Sequence, residues 1–145
     1  MAAIVSLENI AATFPGADGP VFSNIDLSVG RGEFVIVVGA SGAGKSTLLR
    51  VLGGLLPPSA GTIKHDIEPR PDRREIAMVF QEARLMPWRS VSDNVALGLE
   101  GLTVSGTERD RRITDALKLV GLADYGTRWA HELSGGQRQR VGIAR

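Results

Sequence analysis

Apolar residues recur along this chain with two different periods, and the change from one to the other marks where strands give way to helices. Ile4 to Ile10 form a short β-like segment, and Ile25, Leu27 and Val29 alternate with Asp26 and Ser28 as in a half-buried strand. After a turn at Gly30-Arg31-Gly32, Phe34-Val35-Ile36-Val37-Val38 is an unbroken apolar run, the pattern of a parallel strand covered by helices on both faces. Ile76-Ala77-Met78-Val79-Phe80 reads the same way. Between these runs, Lys45 to Leu52 is expected to be a helix that Pro57 and Pro58 cannot continue, and Thr62-Ile63-Lys64 a short strand.

Beyond Phe80 the pattern is helical. Pro87-Trp88 marks a turn, Ser92 is the expected N-cap of a helix through Leu99, and Thr107-Glu108-Arg109-Asp110 resembles a capping box with Asp in place of Glu. Ile113, Ala116, Leu117 and Val120 fall at i, i+3, i+4 and i+7, which predicts an amphipathic helix ending near Gly121. A last helix is expected to begin around Ser134 to Gln137 and to run to Arg145.

Composition narrows the function classes. The 145 residues are 43% hydrophobic and 23% charged, the profile of one globular domain rather than a disordered tail or a stapled mini-protein. Lys+Arg 17 against Asp+Glu 16 leaves a net charge of +1, which argues against a nucleic-acid binder or a charged membrane binder. The absence of cysteine, with His65 and His131 as the only histidines, removes thiolate chemistry and makes a histidine metal centre a poor expectation. Apolar runs of a few residues are too short to span a bilayer, and the opening MAAIVSLENI lacks the pattern of a secretory signal, so a cytoplasmic location is expected.

Gly39-Ala40-Ser41-Gly42-Ala43-Gly44-Lys45-Ser46 fits G-x-x-x-x-G-K-[ST] at every position and lies between an expected strand and an expected helix. Phosphate binding requires glycine here, because the backbone wraps the anion in conformations that a Cβ obstructs. Lys45 is expected to reach the β- and γ-phosphates, and the Ser46 hydroxyl to ligate Mg²⁺. No N-K-x-D guanine-reading motif is present, which favours ATP over GTP. Leu133-Ser134-Gly135-Gly136-Gln137 opens the last helix and makes a second anion-seeking helix start.

In order along the chain, the P-loop, Gln81 after Phe80, and Leu133-Ser134-Gly135-Gly136-Gln137 with its basic continuation resemble the ATP-binding cassette (ABC) ATPases. The resemblance covers essentially the whole chain. It implies an α/β P-loop NTPase fold with an incomplete RecA-like core, an N-terminal antiparallel β portion and a helical signature subdomain. Residues 1–80 would hold the β portion and P-loop core, and residues 81–145 the Q-loop, helical subdomain and signature helix. ATP and Mg²⁺ are the implied ligands. A head-to-tail homodimer is also implied, in which the P-loop of one subunit and the signature of the other enclose one ATP.

Carried over residue by residue, Phe14 resembles the aromatic that stacks on adenine, where the family more often has Tyr; a core phenylalanine is the alternative. Gly39, Ser41, Gly42, Ala43, Gly44, Lys45, Ser46 and Thr47 take nucleotide-binding roles. Gln81 resembles the Q-loop glutamine that touches Mg²⁺ and the attacking water and senses the permease, which makes Ser46 and Gln81 the implied metal contacts. Ser134, Gly135, Gly136 and Gln137 resemble the signature contacts to the opposite γ-phosphate.

The segment from Glu82 to Val95, with Leu85-Met86-Pro87-Trp88 and Val91-Ser92-Asp93-Asn94-Val95, resembles importer ATPases of the nitrate, sulfonate and taurine type. That branch implies a peripheral position on the cytoplasmic face of the cell membrane and import of a small anion. It also implies a permease subunit engaged through the Q-loop and Trp88 region, and a periplasmic or extracellular substrate-binding protein. For Trp88 the alternative is a ring packed under its own loop.

The family's next element, a strand ending in a Mg²⁺-binding Asp and a catalytic Glu, would follow Arg145, as would its D-loop and switch histidine. Glu132 is the last acidic residue here, and His131 precedes the signature and reads as a surface or helix-cap histidine. The chain is therefore expected to be the N-terminal portion of an importer ATPase, less stable alone than in an extended version. The alternatives are a short ATP-binding or interaction protein without hydrolysis and, more distantly, a nucleotide kinase.

Overall fold

Strand β1 (Ala3–Ala12) pairs antiparallel with β2 (Phe22–Gly30) on one edge and with β3 (Ala60–His65) on the other. The sheet order is thus β2-β1-β3 in the computed structural model, which describes residues 3–145. Leu7 stands opposite Leu27 and Ile63, and Ile10 opposite Ile25, so the register is the one that gathers apolar side chains on one face. Leu7 and Ile10 are three residues apart and would lie on opposite faces of a regular strand. The register slips between them, where Asn9 takes φ 52, and this bulge returns Ile10 to the buried face. Helix α1 (Lys45–Leu52) adds Leu48 and Val51 to Leu7, Ile10 and Ala12, forming the core of a first compact unit, Met1–Pro69.

The second unit, Arg70–Arg145, is helical. Its core of Val91, Val95, Leu117, Leu122, Leu133 and Val141 comes from α2 (Val91–Ala96), α3 (Gly106–Leu119), α4 (Gly135–Ala144) and the turns between them. The expected stripe is present, since Ile113, Ala116 and Val120 pack on that core beside Leu117. Helix α4 starts where expected: Ser134 Oγ accepts from the Gln137 N–H at 3.3 Å and Gln137 Oε1 accepts from the Ser134 N–H at 2.8 Å.

Two other caps differ from expectation. Ser90, not Ser92, caps α2 by accepting from the Asp93 N–H at 3.1 Å, and the helix ends at Ala96 with a single 3₁₀ turn, Leu97–Leu99, beyond it. A start at Ser92 would leave Val91 outside the helix, whereas Val91 is fully buried and its N–H donates to the Arg128 carbonyl at 2.8 Å. Helix α3 is capped by Ser105, whose Oγ accepts from the Glu108 N–H at 3.2 Å, rather than by the tetrad beginning at Thr107. Ser105 and Glu108 have capping-box spacing, but the Glu108 carboxylate turns forward to Arg111 and Arg112.

Those arginines have a measurable consequence. Hydrogen bonds from Arg111 at 2.8 Å and from Arg112 at 2.7 Å hold the Glu108 carboxyl down at about 2. A carboxylate with a lower pKa folded than unfolded stabilises the fold above its unfolded value, and that contribution is lost as pH falls toward the folded one. Thermal melts followed by circular dichroism are therefore expected to show stability falling as pH drops from about 4.5 to about 2. Glu108→Gln should flatten this part of the profile, and high salt should weaken it because the group is only partly buried.

The runs Phe34–Val38 and Ile76–Phe80, expected as buried strands, carry no ladder and stand open, with Phe34 86%, Val38 82% and Val79 57% exposed. A buried parallel strand requires hydrogen-bonded neighbours along its edges and cover on both faces. Among the described residues the three-stranded ladder is antiparallel, and neither run joins it.

Candidate functional site

The loop from Gly39 to Gly44 connects the Phe34–Val38 run to α1, and its backbone is shaped for close approach. Gly44 is the N-cap of α1 at φ 85, and a Cβ added there would stand 2.8 Å from Val21 Cγ1 and 3.0 Å from Phe22 Cδ1. Both the conformation and the space therefore demand glycine. No side chain caps α1 and its first turn holds no acidic residue, so the first N–H groups and the positive end of the helix dipole face outward undiminished. Lys45 Nζ donates to the Gly39 carbonyl at 2.9 Å and the Ala40 carbonyl at 2.6 Å. These acceptors are neutral, so the ammonium can turn to an anion without breaking an ion pair.

Ser41, Gly42, Ala43 and Ser46 are exposed around this loop, while Thr47 turns inward and is buried. Among the described residues no three carboxylate, imidazole or thiol groups converge as a metal site. A cation at this loop would thus depend on the Ser46 hydroxyl, phosphate oxygens and water, a hard-oxygen set that suits Mg²⁺. Phe14 lies in the turn after β1 and is 39% exposed.

The remaining expected site residues lie in the helical unit. Ser134, Gly135 and Gly136 are exposed at the start of α4, and open space surrounds both glycines where a Cβ would stand. The Gln81 side chain is exposed, and its carbonyl accepts a hydrogen bond from Gln139. Trp88 is 69% exposed, so it does not pack under its own loop. His131 is an exposed residue of the 3₁₀ turn Ala130–Glu132.

One residue was missed by reasoning from sequence. Asn94, fully buried in α2, accepts from the Met86 N–H at 2.7 Å. Its amide donates to the Met86 carbonyl at 3.1 Å, the Arg89 carbonyl at 3.3 Å and the Ser90 carbonyl at 2.9 Å. It thereby staples the loop that presents Trp88. The available signal was a polar residue at i+3 from Val91, on the inward stripe of a short helix.

Comparison with known proteins identifies the family and the fold. The family described as "ABC transporter" matches residues 22–145. The chain is 43% identical over 144 residues to the taurine import ATP-binding protein TauB of Pseudomonas putida, covering 99% of this chain and 55% of that protein. It is 45% identical over 140 residues to the aliphatic sulfonates import ATP-binding protein SsuB 1 of Agrobacterium fabrum, covering 97% and 48%. The fold matches a dimeric structure of a post-hydrolysis state of the ATP-binding cassette MJ0796 bound to ADP and Pi, with a TM-score of 0.81 and 33% identity over 97% of this chain and 67% of that one. The chain spans about half the length of the curated relatives it matches.

Proposed function

The chain belongs to the ABC transporter family, and from that premise we propose that it is the nucleotide-binding portion of an importer ATP-binding subunit for a small anion such as taurine, another sulfonate or nitrate. The observation that carries this reading is the Gly39–Ser46 loop, with glycine enforced at Gly44, an uncapped helix start and an ammonium resting on neutral carbonyls. Together these features suit a polyphosphate.

In this reading Lys45 and the loop N–H groups hold the β- and γ-phosphates of ATP, and Phe14 stacks on adenine. Ser46 would hold Mg²⁺, which when bound would neutralise charge on the phosphate oxygens. Gln81 would take the Q-loop role, its exposed side chain available to the bound nucleotide and its metal. Ser134, Gly135, Gly136 and Gln137 meet the γ-phosphate held by a second copy of the chain, so that each of two anion-seeking helix starts serves a different nucleotide. The exposed Trp88 on its stapled loop is the surface offered to a permease subunit, and a substrate-binding protein would act through that permease.

The names of the sulfonate and taurine relatives support the importer assignment. A peripheral place at the cytoplasmic face follows from it, and no helix of the described residues is long and apolar enough to cross a membrane. The chain spans about half the length of these relatives, so the steps proposed for these residues are nucleotide binding and pairing.

Sedimentation with and without ATP tests the paired arrangement. ATP is expected to shift the chain from monomer to dimer, and Ser134→Arg to remain monomeric while binding ATP as the unsubstituted chain does. Pairing of Ser134→Arg to the same extent would overturn the trans role of the signature.

A further inference from the structure

Three contacts from α4 converge on the backbone that follows Phe80. Gln139 Nε2 donates to the Gln81 carbonyl. The Arg145 guanidinium spans two more carbonyls, Ala83 at 2.9 Å and Arg84 at 3.0 Å. Between them Gly142 lies against Ala83 so closely that a Cβ at position 142 would stand 3.3 Å from both Cα and Cβ of Ala83. Gln139 and Gly142 lie on one ridge of the helix and Arg145, its C-cap, follows three residues on, while Val141 and Ala144 carry the helix packing into the core.

The segment they grip requires support. Arg84 takes φ 46, a conformation that a non-glycine residue keeps only when its surroundings hold it there. Its guanidinium also stacks on Phe80, 4.9 Å from the ring centroid. Beyond it, Leu85 packs on the helical core and Asn94 fixes Met86, so the segment is pinned at both ends.

We propose that Gln139, Gly142 and Arg145 are positioning residues that latch the Gln81–Arg84 backbone to the signature helix, so that Gln81 is placed by α4 and moves with it. The proposal rests on the function above only in taking Gln81 as the residue to be placed. Because the latch uses the carbonyl of Gln81, the side chain stays exposed for its own contacts. Whatever engages the N-terminal turn of α4 then acts on the same rigid piece as Gln81.

The chain has no cysteine, so engineered thiols report without background. A nitroxide attached at Gln81→Cys leaves the gripped carbonyl in place. In that background Gln139→Ala is expected to raise the mobile fraction of the label about fivefold, the worth of one net hydrogen bond. Gln139→Lys, which restores a donor of similar reach, should return the label to its immobile state. A nitroxide at Thr114→Cys on α3 should respond to neither change, whereas general loosening of the unit would mobilise both labels.

Ala83→Cys with Gly142→Cys is expected to form a disulfide on mild oxidation, since their Cβ separation of 3.3 Å lies close to the usual ~3.8 Å. An unchanged label at position 81 in Gln139→Ala, or failure of that pair to oxidise in the folded chain, would overturn the latch. Neither result bears on nucleotide binding at the P-loop, which Lys45→Ala tests separately.

Discussion

Lys45→Ala is expected to weaken ATP binding about a hundredfold, the equivalent of roughly 2.7 kcal/mol. The polyphosphate brings several negative charges to a loop whose other donors are backbone N–H groups and a helix dipole. Those remain in the variant, but the single full positive charge at the loop is gone. The fold should survive, because Lys45 Nζ bonds only to the exposed carbonyls of Gly39 and Ala40, which water can satisfy in its absence. Calorimetric titration with ATP checks the affinity, and an unchanged circular dichroism melt checks the fold. Lys45→Arg should recover only part of the loss, since a planar fork of donors does not replace a compact ammonium in a tight loop.

Asn94→Leu is expected to lower the stability of the helical unit by about 3 kcal/mol. The side chain is fully buried and partners Met86 on both its N–H and its carbonyl, with further bonds to the carbonyls of Arg89 and Ser90. Leucine has the same branched skeleton and leaves no cavity, so the main cost is that of buried backbone groups left without partners. Asn94→Asp should be worse, because it keeps an acceptor for the Met86 N–H but sets a carboxylate against three carbonyls. Urea unfolding measures the effect, and a midpoint equal to that of the unsubstituted chain would show that the staple contributes nothing. As the Met86–Ser90 loop presents Trp88, the same variant should also disorder that ring.

What the sequence made legible was local. The P-loop is eight contiguous residues in which Gly42 and Gly44 are required by their own positive φ, and α1 begins and ends at the expected Lys45 and Leu52. The Ser134–Gln137 box is equally self-contained, and it forms as expected. The caps of α2 and α3 were read two residues late because several hydroxyl residues compete near each start. The choice fell to whichever buried the following apolar side chain or paired with the neighbouring loop, as Val91 does with Arg128.

The Phe34–Val38 and Ile76–Phe80 runs show the opposite limit. An apolar run states what would be favourable to bury, but a parallel strand exists only with its neighbours, and no local pattern encodes them. Asn94 and the α4 latch were illegible for a similar reason. Gln139 meets Gln81 across 58 residues of chain, and neither residue type announces such a partner. By contrast, the exposure of Trp88 and Phe14 is a property of the fold that the sequence left open.

In the proposed function, residues 39–47 bind the phosphates of ATP. The most direct measurement is a titration of the isotope-labelled chain with ATP, followed through its backbone amide resonances. Saturable shifts concentrated at Gly39 to Thr47, and absent in Lys45→Ala, are the predicted result. Amides of the loop that stay unmoved through the titration, or saturable shifts confined to other parts of the chain, would contradict it.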